Sequence, residues 1–160
     1  MPNTAAYHHN LGAAYMGQKR YSLALKEMRR AHRLDPEDLE TRIAVAKIQA
    51  HQGKQAESLA EYRKLCNEAP KDWRSHAALG NALLQGGQTD EALVYLERAA
   101  QMKPREELVH MVLAVAHEQR GDLSKAIDAY REVRRVTRTQ QNRAVAEEKV
   151  RQLRRQLAQK

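Results

Sequence analysis

Residues 73–104, WRSHAALGNALLQGGQTDEALVYLERAAQMKP, read as two amphipathic helices separated by a glycine pair and ended by a proline. Leu79, Ala82 and Leu83 form the apolar side of the first helix, and Asp72 just before it is placed to cap its N-terminus. Gly86-Gly87 breaks that helix. Ala92, Leu93, Leu96 and Ala99 then recur at helical spacing. The second helix stops before Pro104, because the residue ahead of a proline avoids the helical region.

The same plan repeats outward from this stretch. Proline falls at Pro36, Pro70 and Pro104, each 34 residues after the last. Gly12, Ala46, Gly80 and Ala114 form one column of small residues at that step, and Ala24, Ser58, Ala92 and Ala126 form another. Such a period means one supersecondary unit stacked on copies of itself. Four units follow, at about 5–38, 39–72, 73–106 and 107–138. In the first, Tyr7, Leu11, Ala14 and Tyr15 make a stripe that breaks at Gly17-Gln18-Lys19-Arg20, before Leu23, Ala24, Leu25, Met28, Ala31 and Leu34. In the second, Ile43, Val45, Ala46 and Ile48 lead to Gly53, then to Ala56, Leu59, Tyr62 and Leu65. In the fourth, Leu113, Ala114 and Ala116 precede Gly121-Asp122, and Arg138 stands where the other units have proline.

Residues 139–160 read as one further helix. Ala146, Val150, Leu153 and Leu157 make a narrow apolar seam with charged residues around it, as suits a cap on the exposed end of a stack. The expected fold is all-α, a right-handed α-solenoid of four helix–turn–helix units over 1–138 plus a basic C-terminal capping helix. That amounts to nine helices and no strands.

Composition supports this. Hydrophobic residues make up 42% of the 160, yet aromatics only 4%, and Phe is absent. A filling of Ala, Leu, Val and Met suits closely spaced helices better than a sheet. Cys66 is the single cysteine, so no internal disulfide can form. It is expected to be a small buried hydrophobe in a reducing compartment, the cytoplasm, although a bacterial periplasm is also compatible. No apolar run approaches the roughly 20 residues of a membrane span. Nothing at the N-terminus has the form of a secretory signal. The repeat begins almost at once, as it would in a piece of a longer protein.

These columns resemble the tetratricopeptide repeat family, whose 34-residue units carry Leu-Gly and Tyr in the first helix and Ala, an aromatic, Ala and Pro in the second. The first unit matches through Leu11-Gly12, Tyr15, Ala24, Met28, Ala31 and Pro36, and the third through Leu79-Gly80, Ala92, Leu96, Ala99 and Pro104. The second and fourth are looser, with Ala46 and Ala114 for the glycine and Gln49 and His117 for the tyrosine. At the family's opening tryptophan this chain has His8, Arg42, His76 and His110.

The resemblance implies a concave groove lined by the first helix of each unit, and a non-catalytic module that holds a partner protein or peptide there as adaptor, assembly factor or scaffold. It would place His9, Ala13 and Met16 from the first unit on that groove, and Ile43, Lys47 and His51 from the second. The third would supply Arg74, Ala77, Asn81 and Leu84, and the fourth Leu108, Met111, Val115 and Glu118. Lys47, Arg74 and Asn81 would rim an apolar patch fit for an extended or helical peptide. Of the positions of the family's carboxylate clamp, His9, Ala13, Ala44, Arg74 and Ala78, only Arg74 keeps full basic character, so that ligand mode is rejected.

Charge gathers at the end of the chain. Residues 131–160 hold ten Lys and Arg against Glu132, Glu147 and Glu148, which is +7 of the total +8. The alternative function is therefore recruitment of an acidic protein, an anionic membrane surface or nucleic acid through Arg143, Lys149, Arg151, Arg154 and Arg155. No aromatic interleaves these charges, which disfavours single-stranded nucleic acid. Self-association is left open, because the first unit has no spare helix to shield its outer face. No metal site, cofactor or small-molecule substrate is expected. The histidines lack a His-Glu-x-x-His spacing, no glycine-rich phosphate loop or serine elbow occurs, and capping or turn positions account for Asp35, Asp72 and Asp122.

Overall fold

The computed structural model describes residues 4–159. Among them lie nine α-helices and no strand: α1 (Ala5–Gly17), α2 (Tyr21–Leu34), α3 (Leu39–His51), α4 (Gln55–Glu68), α5 (Trp73–Gln85), α6 (Thr89–Met102), α7 (Glu107–Arg120), α8 (Leu123–Val136) and α9 (Gln140–Ala158). The expected all-α helical repeat is thus the observed fold. The chain divides into two compact units, one ending at Pro70 and the other starting at Lys71.

In the first unit α1 packs on α2, α2 on α3 and α3 on α4. Ala24, Met28 and Ile48 form a buried centre, with Tyr15, Met16, Leu25 and Val45 around it. Gly12 permits the close approach of α2, since a Cβ there would lie 2.9 Å from Met28 Cγ. Thr4 caps α1 by accepting from the Tyr7 amide at 3.2 Å. Asp38 caps α3 by accepting from the amides of Glu40 and Thr41. Asp35, by contrast, ends α2 in extended backbone ahead of Pro36.

In the second unit α5 pairs with α6, α6 packs on α7, α7 pairs with α8, and α9 lies along α8. Leu79, Leu83, Ala92, Leu93, Leu96 and Ala99 are buried. Each large side chain removed from water in this way contributes on the order of 1.5–3 kcal/mol. Gly80 is the tighter of the two glycine approaches: a Cβ would lie 2.6 Å from Leu96 Cγ and 3.1 Å from the Ala92 carbonyl oxygen. Asp72 caps α5 as expected, accepting from the Arg74 amide at 2.8 Å. Asp122 stands at the N-cap of α8 but makes no side-chain cap bond there. Its carboxylate accepts from Arg120 Nε at 2.7 Å instead.

The far end of this unit is closed by α9. Ala146 and Leu153 join Ala126, Ile127, Tyr130 and Val133 in one buried cluster, with Val150 packed against it. The expected seam is shorter than its sequence pattern, because Leu157 is 45% exposed. Where the other repeats end in proline, Thr137 turns the chain. It is extended (φ −66°, ψ 140°) and its hydroxyl accepts from the Thr139 amide at 3.2 Å.

Candidate functional site

The positions that would carry tryptophan hold polar side chains, and each has a partner. His8 Nδ1 donates to Glu27 Oε2 at 2.7 Å, and Arg30 Nη1 donates to the other oxygen at 2.9 Å. Burial pushes the Glu27 carboxyl up, but the His8 hydrogen bond and the Arg30 charge outweigh it, so its pKa lies below the ordinary value. Arg42 spans α3 to α4, donating to Glu61 at 3.0 Å and Glu68 at 2.7 Å. His76 Nδ1 donates to the Asp72 carbonyl at 3.1 Å and His110 Nε2 to the Pro104 carbonyl at 2.8 Å. Among the described residues no group of three His, Cys, Asp or Glu side chains could hold a metal ion.

The proposed groove residues divide between the two units. In the first, His9 does not project as a free side chain. Its Nδ1 lies 2.8 Å from Thr41 Oγ1, whose own hydroxyl donates to Asp38. For Asp38 the upward push of burial is outweighed by the Thr41 hydroxyl, the Thr41 and Glu40 amides and the His9 charge, and its pKa is lowered. Met16 packs against the α2–α3 centre. His51 stacks on the Tyr21 ring, with centroids 4.8 Å apart. Ala13 and Lys47 are exposed and Ile43 is half-buried.

In the second unit two expectations are corrected. Leu84 is buried rather than lining an open face. Arg74 is not an unneutralised rim cation, because its Nη2 donates to Asp72 Oδ2 at 2.8 Å and its Nε to Oδ1 at 3.1 Å. The two corrections have separate causes: α5 lies in a densely aliphatic pair, which encloses Leu84, and its capping carboxylate Asp72 is within reach of the next long cation, Arg74. Ala77 and Asn81 are half-buried.

On α7, Leu108 is 63% exposed. Met111 and Val115 below it are half-buried, Met111 against the α8–α9 cluster. Glu118 accepts from the Tyr130 hydroxyl and from Lys149 Nζ, the latter at 3.0 Å. Lys149 is therefore drawn off the basic surface to which its charge had assigned it. Asn142 of α9 donates to Glu107 of α7. These two ties fix which flank of α9 faces α7. Val145, at helical spacing from Asn142 and Lys149, stands on that flank and is 45% exposed.

Leu108, Met111 and Val115 lie on one face of α7, and Val145 on the α9 flank tied to that helix; the charges neighbouring this α7–α9 strip, Lys149 with Glu118, are already paired. Val145 was not among the sequence-derived groove residues. Its signal was its offset from the seam, since it falls one residue before Ala146. Of the remaining basic residues of α9, Arg151 donates to Glu148 at 3.1 Å. Arg143, Arg154 and Arg155 are exposed without a carboxylate partner among the described residues. An open cleft of about 420 Å³ between α7 and α8 is lined by His110, His117, Lys125 and Asp128. The buried His117 Nδ1 has no hydrogen-bond partner, and burial lowers the pKa of this ring. Among the described residues no helix is long and apolar enough to cross a membrane.

Comparison with known proteins agrees with the helical pairing. Profiles described as Tetratricopeptide repeat match residues 5–38 and 77–142. No curated protein matches. A thermophilic TPR protein of Thermus thermophilus superposes with a TM-score of 0.79 at 21% identity, over 96% of this chain and 83% of that one. Pseudomonas aeruginosa pilF gives 0.83 at 20% identity, over 97% and 69%. YrrB, a TPR protein with an unusual peptide-binding site, gives 0.67 at 15% identity, over 91% and 75%. At these identities the likeness concerns the fold.

Proposed function

Since this chain belongs to the tetratricopeptide repeat family, we propose that it is a non-catalytic protein-interaction module that holds an apolar peptide or helix of a partner on the α7–α9 strip. Exposure of Leu108 on α7 and of Val145 on the α9 flank tied to that helix, with the adjoining charges neutralised within the chain, carries this reading. Aliphatic anchors in a helical groove supply affinity through burial, while paired charges at the edge add little. Asn81 is available to hydrogen-bond a peptide backbone. The peptide-binding site of YrrB, on a similar fold, supports the same class of ligand. An adaptor, assembly or scaffold role follows from holding a partner without acting on it. The buried Cys66 thiol suits a reducing compartment, the cytoplasm.

The test is affinity capture from native extract with the intact chain beside Leu108→Glu/Val145→Glu. Both positions are exposed, so circular dichroism is expected to stay unchanged. Loss of a captured protein with the double variant supports the strip as the binding site. Equal capture by both chains removes it. Sedimentation of the chain alone, with and without the double substitution, shows whether the occupant is a second copy.

A further inference from the structure

The outer flank of α9 carries a charge pattern that the apolar strip does not use. Arg143, Glu147, Arg151 and Arg154 follow one another at i, i+4, i+8 and i+11, which aligns them along the helix. From Arg143 to Arg154 the row spans about 16 Å of helix rise. Asn142, Val145 and Lys149, which face α7, lie across the buried Ala146–Val150–Leu153 seam from this row. Arg155 and Glu148 stand beside it, with Glu148 already engaged by Arg151. Of the α8 arginines, Arg131 and Arg135 are held by Asp128 and Glu132 at 2.7 and 2.6 Å. Arg134 and Arg138, near the start of α9, are exposed without a carboxylate partner among the described residues.

We propose that this row is a docking surface for an acidic helix of another protein, one whose charges run carboxylate, cation, carboxylate, carboxylate opposite Arg143, Glu147, Arg151 and Arg154. Three features select that occupant. The cations are guanidinium groups, which take carboxylates in two-point contact; Arg143 and Arg154 have no carboxylate partner among the described residues, and Arg151, held by Glu148 through Nη2 at 3.1 Å, keeps further N–H donors for a second carboxylate. Glu147 interrupts them, and a uniformly anionic polymer laid along the row would meet that carboxylate head-on, whereas a protein helix can place a lysine there. Residues 131–160 contain no aromatic to stack bases. The docking surface is therefore distinct from the α7–α9 strip, and a partner could occupy each.

The probe is an alanine-based helical peptide with Glu, Lys, Glu and Glu at i, i+4, i+8 and i+11, made in both chain directions. Binding to the full chain is followed by fluorescence anisotropy across a salt series. The expected result is binding by one direction, weakened about tenfold by Arg143→Gln/Arg154→Gln/Arg155→Gln and progressively by salt. Glu147→Lys is expected to weaken the matched peptide and to strengthen binding of a single-stranded RNA oligonucleotide. Circular dichroism reports whether α9 remains helical in each variant. The proposal is overturned if neither peptide direction binds, or if the triple variant binds as well as the natural chain. It is equally overturned if an all-Glu peptide, the RNA or phosphatidylserine-containing vesicles bind the natural chain as tightly as the matched peptide.

Discussion

In the unit that ends at Pro70, helix pairs are tied by charge: His8 reaches Glu27 across α1 and α2, and Arg42 reaches Glu61 and Glu68 across α3 and α4. In the unit that starts at Lys71, the equivalent His76 and His110 hydrogen-bond backbone carbonyls, the His76 ring also lies 6.0 Å from that of Tyr95, and Leu79, Leu83, Leu93 and Leu96 fill the space between helices. One 34-residue pattern is therefore realised in two materials. Where the aromatic of the family pattern is missing, either a hydrogen bond to a carboxylate bridges the helices or aliphatic packing closes the gap. The difference teaches that the small-residue columns set the helix spacing, while the large positions can be filled by any side chain that satisfies its own polar atoms.

The sharpest way to test the contrast is to add one methyl group at the same place in each unit. Alanine in place of glycine gains roughly 1 kcal/mol of helix propensity. At Gly80 that gain is exceeded, because the new Cβ meets Leu96 at 2.6 Å and the Ala92 carbonyl at 3.1 Å, and a backbone oxygen cannot step aside. At Gly12 the obstacle is the flexible Met28 side chain, at 2.9 Å. Gly80→Ala is expected to lower stability by about 1–2 kcal/mol, and Gly12→Ala to leave it nearly unchanged. Chemical denaturation of both variants measures this. Equal losses would mean that the two units are packed to the same tolerance.

A smaller effect distinguishes the charge-tied unit. The folded-state pKa of Glu27 lies below its ordinary value of about 4.3. Its ionised form therefore contributes stability above that value, and the contribution is lost as pH falls through the folded pKa. Glu27→Gln is expected to be less stable than the natural chain at pH 7, with the gap narrowing as the solution is acidified below about pH 4.3. Thermal midpoints at a series of pH values check it. A gap that stays constant would assign Glu27 a packing role rather than an electrostatic one.

The helix pairs, the Asp72 cap and the buried Ala92, Leu96 and Ala99 were all readable from sequence, because periodicity and proline position act locally. The partners of side chains were not. Nothing in the spacing of Arg74 says that its guanidinium folds back on Asp72, and the charge of Lys149 alone gave no hint of Glu118, 31 residues away. Those contacts depend on which helix flank meets which, and that is settled by packing. Leu84 shows the same limit from the apolar side: its column position suggested an open face, yet the leucine-rich surroundings of α5 enclose it. Periodicity puts Leu108 and Glu118 on one helix, but whether each is free or paired required α9 in position.

The smallest expected effect lies in the turns. Gly53, Gly87 and Gly121 have φ of +83°, +77° and +85°, and the residue at the same step in the first unit is Lys19, at +58°. All four donate their amide to a carbonyl three residues earlier; for Lys19 this is Met16, at 2.9 Å. The turn is thus one structure repeated, and Lys19 adopts it against the steric preference of an L side chain, at a cost of roughly 1–2 kcal/mol. Glycine would remove that cost but would add freedom to the unfolded chain, worth about 0.4–1 kcal/mol in the opposite sense. Lys19→Gly is therefore expected to raise the thermal midpoint by only about 1–3 °C. The side chain of Lys19 is exposed, so little else is lost. A midpoint that falls would show that the lysine stabilises this turn by a contact that outweighs its backbone strain, and the first of the four repeats would then differ from the other three in its turn.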